Sequence, residues 1–213
     1  MEKKRKMLFK ICLVMVALLF LLAGCGGSGA KDAGQTGTSQ VSPSAGSGEQ
    51  AVKQPNNMKI FKSSQLGYQL AYPQHWIYEQ TNEHTVIFSG PQGTEEYYTT
   101  VNIQNVLSRA AGGNYENLHD FLKDYQNDIE NTGGKVLEKA EGMMDISGYN
   151  VPYIEFTCNF FQQGEEFMMW TVLIQRDENI FHQFSYTAPR DLYAKHIEQA
   201  REIFKTFAFV APM

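Results

Sequence analysis

The hydrophobic and polar positions are strand-like in three short stretches, Tyr68 to Tyr72 (YQLAY), Thr85 to Ser89 (TVIFS) and Thr99 to Val106 (TTVNIQNV). In the third, Val101 and Ile103 alternate with Asn102 and Gln104, the pattern of a strand with one wet face. The period then changes. Leu118, Phe121, Leu122, Tyr125 and Ile129 form one apolar stripe of an amphipathic helix. Asn117 stands at its N-cap, and Gly133-Gly134 supply the stop. Three or four long strands are predicted next, over about 135–143, 151–161, 166–176 and 179–188. The short polar joins QQGE and RDEN imply hairpins and antiparallel neighbours. A second helix is predicted from near Pro189-Arg190-Asp191, with the stripe Leu192, Tyr193, Ile197, Ala200 and Phe204, after which Phe207 and Phe209 close the chain.

Strands, a helix, a run of long strands and a C-terminal helix make an α+β order. The expectation is an antiparallel sheet of about six or seven strands with the helices packed on its faces. The segment Glu166 to Ile174 (EFMMWTVLI) is apolar on both faces, so both sides of that strand should be covered. Pro73 ends the YQLAY strand because it offers no N–H and biases Tyr72 to extended geometry. Trp76 is expected as an apolar anchor under the sheet, and SGPQGTEE as turn chemistry.

The N-terminus follows a different logic. A basic cluster, Lys3 to Lys6 with Lys10, precedes 13 apolar residues, Ile11 to Ala23. A helix needs roughly 20 residues to cross a bilayer core, so the run reads as an export signal. The sequence LAGC, Leu22 to Cys25, resembles the bacterial lipobox. That resemblance implies cleavage between Gly24 and Cys25 and a diacylglyceryl group on the Cys25 sulfur. Acyl chains anchor at about 0.8 kcal/mol per buried CH₂, and two of them hold stably. The alternative is an uncleaved signal anchor with an incidental cysteine. Gly26 to Asn57 is 32 residues without an aromatic, with Val41 and Val52 its branched aliphatics, too little to repay ordering. It reads as a linker with a reach of about 30 Å. The division is therefore a signal over 1–24, lipidated cysteine and linker over 25–57, and one domain over 58–213.

Removing residues 1–24 leaves 13 basic against 22 acidic residues, a net charge of −9. Phosphate backbones and anionic headgroups repel such a surface, which argues against nucleic acid as a partner and leaves the lipid to hold the protein to its membrane. Cys12 leaves with the signal and Cys25 carries lipid, so Cys158 is alone, in a strand pattern where Ile154, Phe156, Cys158 and Phe160 share a face. It reads as inert core rather than a nucleophile.

The candidate chemistry is sparse. HWIYEQTNEH gathers His75, Glu79, Glu83 and His84 within ten residues, but a solvated loop is preferred to a metal site because no HExxH or paired C-x-x-C spacing supports one. His182 lies at period two with Ile180, Phe184 and Tyr186 and faces the core or a pocket. Glu95 and Glu96 beside Tyr97 and Tyr98 could contact carbohydrate, peptide or Ca²⁺. Glu95, Glu96, Tyr97 and His182 are therefore the candidate ligand-binding residues. No serine elbow, P-loop or G-x-G-x-x-G is present, and no catalytic residue, cofactor or metal ligand is assigned.

Four stretches resemble the PsbP-like family: GYQLAYPQHW (Gly67 to Trp76), VIFSGPQGTEEYYTTVNIQ, ENLHDFLKDY and AREIFKTFAF. Eukaryotic Ran-GTPase release factors and many bacterial lipoproteins share that fold. The resemblance implies an α-β-α sandwich and a non-enzymatic binding or assembly role, and it carries no catalytic residue. The expected protein is a lipid-anchored extracytoplasmic module whose partner is an envelope component or membrane protein. The alternative is a small-ligand or metal receptor serving a transporter.

Overall fold

The computed structural model describes residues 57–210, so the export signal, Cys25 and all of the linker but Asn57 lie outside the described residues. No helix among the described residues is long and apolar enough to cross a membrane.

Among the described residues ten strands and two α-helices follow in order. They are β1 (Met58–Ser63), β2 (Tyr68–Pro73), β3 (Ile77–Asn82), β4 (Thr85–Ser89), β5 (Thr100–Leu107), α1 (Leu118–Asn131), β6 (Lys135–Ile146), β7 (Tyr149–Gln162), β8 (Glu165–Gln175), β9 (Ile180–Pro189), α2 (Arg190–Lys205) and β10 (Ala208–Phe209). Seven strands form one sheet in the order β3-β4-β5-β9-β8-β7-β6, and every neighbouring pair is antiparallel. β1, β2 and β10 form a second, three-stranded sheet. The architecture is the expected α+β one.

Local chemistry accounts for the elements. The Asn117 side chain accepts from the backbone N–H of His119 and Asp120 at 2.9 and 3.0 Å, capping α1. At the other end Gly133 takes φ +82, and the Gly134 N–H returns to the Ile129 carbonyl. The β6–β7 and β7–β8 hairpins turn on two residues each, Ser147-Gly148 and Gln163-Gly164, all four with positive φ. That is the turn type whose twist matches the flanking strands.

Because side chains alternate, the large sheet has two distinct interfaces. One face carries Val101, Ile103, Trp170, Val172, Ile174, Phe184 and Tyr186, and it packs against α2 and the small sheet. Phe204 of α2 meets Trp170 and Phe184 edge-on at 5.7 and 5.1 Å, while Phe61, Tyr68, Leu70, Tyr72 and Trp76 fill the space beside them. The other face carries Ile154, Phe156 and Cys158 of β7 with Met169 and Leu173 of β8, and α1 packs there, its Tyr125 ring edge-on to Phe156. The α-β-α sandwich follows from this alternation, and β8 is buried on both faces as its apolar run requires. Thr206 locks α2 to the small sheet: its hydroxyl accepts the Ala71 N–H at 2.7 Å and lies 2.7 Å from the Ile203 carbonyl.

Three expectations change. β1 carries no clean alternation and was not anticipated; it forms because β2 offers it a full antiparallel register from Met58–Pro73 to Ser63–Tyr68. HWIYEQTNEH is not a loop but mostly β3, an exposed edge strand paired with β4. The polar side of β5 is not wet: Asn102 is 5% exposed.

Gly67 sits at φ +76, and a Cβ there would lie 2.6 Å from the Arg176 guanidinium. Gly67→Ala should destabilise the domain by about 1–3 kcal/mol through backbone strain and displacement of Arg176, read as a lower denaturation midpoint. An unchanged midpoint would refute this account of the turn.

Candidate functional site

Between β4 and β5 the chain makes a short 3₁₀ turn, Glu95–Tyr98. Its start requires glycine at position 90, because a Cβ there would come within 2.4 Å of the Glu96 Cβ, and the Gly90 N–H donates to the Glu96 carbonyl at 3.1 Å. The Thr94 and Thr99 hydroxyls donate to the Pro91 and Glu96 carbonyls at 2.9 and 3.0 Å, fixing both ends of the turn.

The two carboxylates are aimed at different elements. Glu95 reaches α2, where Lys195 Nζ donates to both its oxygens at 3.1 and 3.3 Å and His196 Nε2 lies 3.9 Å away. Glu96 Oε2 lies 3.3 Å from His75 Nε2 in the β2–β3 connection. Tyr97 and Tyr98 meet edge-on at 5.5 Å, and Tyr98 packs against the core. The turn, the β2–β3 corner and one flank of α2 thus form a single charged corner with Trp76 buried nearby. Side chains of His75, Lys195 and Glu95 are more than half exposed, so these pairs add about 0–1 kcal/mol each. Their value lies in presenting both charge signs together on one surface.

His182 is elsewhere. It pairs across the sheet with Asn105, whereas Thr100, next to the turn, pairs with Thr187. Five residues of β5 separate the two places, about 16 Å at strand rise. His182 is 1% exposed and lies between the rings of Tyr68, Phe207 and Phe209 at 5.4 to 6.0 Å. Asn105 Nδ2 donates to the Leu66 carbonyl at 2.8 Å, so its Oδ1 is the free acceptor. His182 Nδ1, 2.7 Å from that oxygen, therefore carries the proton. Burial, and secondarily the Arg176 guanidinium, pull the imidazole down from 6.5 to about 3. Arg176 itself donates to the Gly67 and Val210 carbonyls at 3.1 and 3.2 Å and closes the C-terminus onto β2. This is a joint between the two sheets, built around a neutral histidine.

Of the four sequence candidates, the structure brings Glu95, Glu96 and Tyr97 together and places His182 apart. Sequence reasoning assigned no role to Lys195 or His196; they lie 100 and 101 residues downstream of Glu95, and nothing local links them. The HWIYEQTNEH groups diverge: His75 turns to Glu96, and His84 lies 3.3 Å from Glu83. Among the described residues no three His, Cys, Asp or Glu side chains converge. Cys158 is fully buried, and desolvation pushes its thiol up to about 12.

Neither a protein-family model nor a curated relative matches the sequence. Solved structures do. Cyanobacterial PsbP (CyanoP) from Synechocystis sp. PCC 6803 is 10% identical, over 76% of this chain and 98% of that one, with a TM-score of 0.50. The Ran-binding protein Mog1p of Saccharomyces cerevisiae is 8% identical over 73% and 96%, at 0.49. A structure from Bacteroides thetaiotaomicron VPI-5482 is 18% identical over 72% and 49%, at 0.46, so this chain spans about half its length. The likeness to CyanoP identifies the PsbP-like fold and nothing about activity.

The His182 joint sets an acid limit on stability. The unfolded imidazole takes a proton below pH 6.5 and the folded one does not until about pH 3, so unfolding is favoured by about 1.4 kcal/mol per pH unit across that window. Against His182→Gln, which titrates nothing, the wild type should lose about 2.3 kcal/mol more between pH 6.5 and about 4.5 in denaturant melts. Parallel acid limbs for the two proteins would show that His182 is protonated in the fold.

Proposed function

We propose that the protein is a lipid-anchored, extracytoplasmic binding or assembly module that acts without catalysis, with an envelope component or membrane protein as its client. The observation that carries the reading is the sequence LAGC at Leu22 to Cys25 behind a short apolar run, followed by a polar linker of 32 residues before the first strand. An acyl anchor and a linker of about 30 Å reach would hold a domain close to one membrane while it searches for a partner. The PsbP-like fold is compatible with such a role, and the charged corner around Glu95 offers a partner both signs of charge on exposed side chains. Electrostatic complementarity of that kind favours rate and specificity of encounter.

Cys25→Ala should move the full-length protein from the membrane to the soluble fraction of its host, with loss of acyl mass from the mature chain. Membrane retention equal to wild type would sink the anchoring proposal. In crosslinking of the anchored wild type, the dominant captured membrane protein should be lost when Glu95 and Glu96 are both changed to Lys, and its persistence would exclude the corner as the contact.

A further inference from the structure

The two ends of the seven-stranded sheet are unlike. β3 closes one end with 6 residues, whereas β6 closes the other with 12, and β7 is its only strand partner among the described residues. Nine of the 12 residues of β6 are exposed, so its outer row of backbone N–H and C=O groups lies open. Such a row is a template for another strand. The bulge between Val136 and Glu138 disturbs only the start of β6; from Glu138–Thr157 to Ile146–Tyr149 its ladder with β7 is regular.

Charges on an edge ordinarily deter a second strand. Here their order favours one partner. Lys139 and Glu141, opposite Phe156 and Ile154, stand on the face that receives α1, with Lys139 Nζ 3.2 Å and His119 Nε2 3.3 Å from the Glu141 carboxylate. In an antiparallel pair opposed residues point to the same face, so a two-fold axis between two copies of β6 sets one residue against its own copy. Centring on Glu138, Lys139 or Glu141 opposes a charge to itself, and centring on Met143 opposes Glu141 to Asp145. Centring on Gly142 faces Glu141 with Met143 and Glu138 with Ile146. Centring on Ala140 instead sets Lys139 against Glu141 twice, once from each copy. It also lays both Glu138 side chains over Gly142. At the two ends it brings Leu137 and Met143, 44% and 56% exposed, within reach of each other. Opposite charges and apolar pairs across strands stabilise, and like charges destabilise, so the order of residues selects this register.

We propose that the partner of this edge is a second copy of the chain, joined β6 to β6 about a two-fold axis at Ala140, so that two seven-stranded sheets become one of 14 strands. The helices leave room for the junction. α1 lies chiefly over β7, and the two β7 strands are then three strand spacings apart, about 14 Å, whereas packed helix axes need only about 8–10 Å. The space between them holds the Lys139 and Glu141 side chains of both copies. The surface is distinct from the Glu95 corner, and the inference stands whether or not Cys25 carries lipid.

The test uses full-length chains carrying Ala140→Cys, expressed in the host and oxidised with copper phenanthroline. Opposed residues of an antiparallel pair lie about 4.5–5.5 Å apart at Cα, within disulfide range. The expected result is a disulfide-linked dimer about tenfold or more above two controls. These are the wild type, which keeps Cys25 and the buried Cys158, and Lys123→Cys on the exposed side of α1. Adding Lys139→Glu or Glu141→Lys should cut the Ala140→Cys dimer about tenfold. Co-expressing those two charge variants should restore it as a heterodimer, because each then meets the opposite charge, and that heterodimer shows that both variants fold. The proposal is overturned if Ala140→Cys crosslinks no more than Lys123→Cys, or if Gly142→Cys crosslinks as well as Ala140→Cys. It is also overturned if Lys139→Glu leaves the dimer intact or the two charge variants fail to pair.

Discussion

Two adjacent strands, β8 and β9, run through the middle of the seven-stranded sheet with almost every side chain on both faces withdrawn from water, and the remaining elements are arranged around that requirement. A strand apolar on both sides gains only if two independent layers cover it. On one side α2 and the three-stranded sheet supply the cover, with the Trp170, Phe184 and Phe204 rings interlocked. On the other side α1 supplies it for β8, but a single 14-residue helix, about 21 Å long, does not span seven strands. Phe181 and Gln183 of β9 also meet α1, through Phe121 and Tyr125, and mostly hydroxyls and amides line β4 and β5 beyond it.

The second sheet is held to the first by a polar joint rather than by packing alone. Asn105 links His182 to the Leu66 carbonyl, and Arg176 links the Gly67 and Val210 carbonyls while its guanidinium lies 5.2 Å from the Phe209 ring centroid. These bonds tie polar groups of the two sheets together at about 0.5–1.5 kcal/mol each, with more for those of the charged guanidinium. The histidine is neutral by virtue of its buried position between the two sheets. His75 and His196 stand near carboxylates of the Glu95 turn and belong to the charged corner.

The legibility of this protein follows the range of the interactions involved. The α1 stripe and its Asn117 cap, the glycine stop, the long hairpins and the start of α2 are local patterns within one or a few turns of chain, and each is present in the structure. β1 and β3 were missed because neither carries a clean period-two pattern; pairing with β2 and β4 makes them strands. The polar alternation of β5 was read correctly as a shared face and wrongly as a wet one, since periodicity reports which side chains point together and not what lies above them.

The same division applies to the candidate site. Glycine, proline and paired glutamates marked the turn at Glu95 and Glu96, and strand period placed His182 among core positions. What lies opposite each was invisible: Lys195 and His196 across 100 and 101 residues, Asn105 across 77, Gln183 facing Tyr125 across 58. The sequence by itself determined most of the elements, which side chains share a face and the α+β class, because those depend on backbone geometry and the hydrophobic period. Only the tertiary structure decided which polar groups meet, because that is set by strand order and by how far α1 reaches across the sheet.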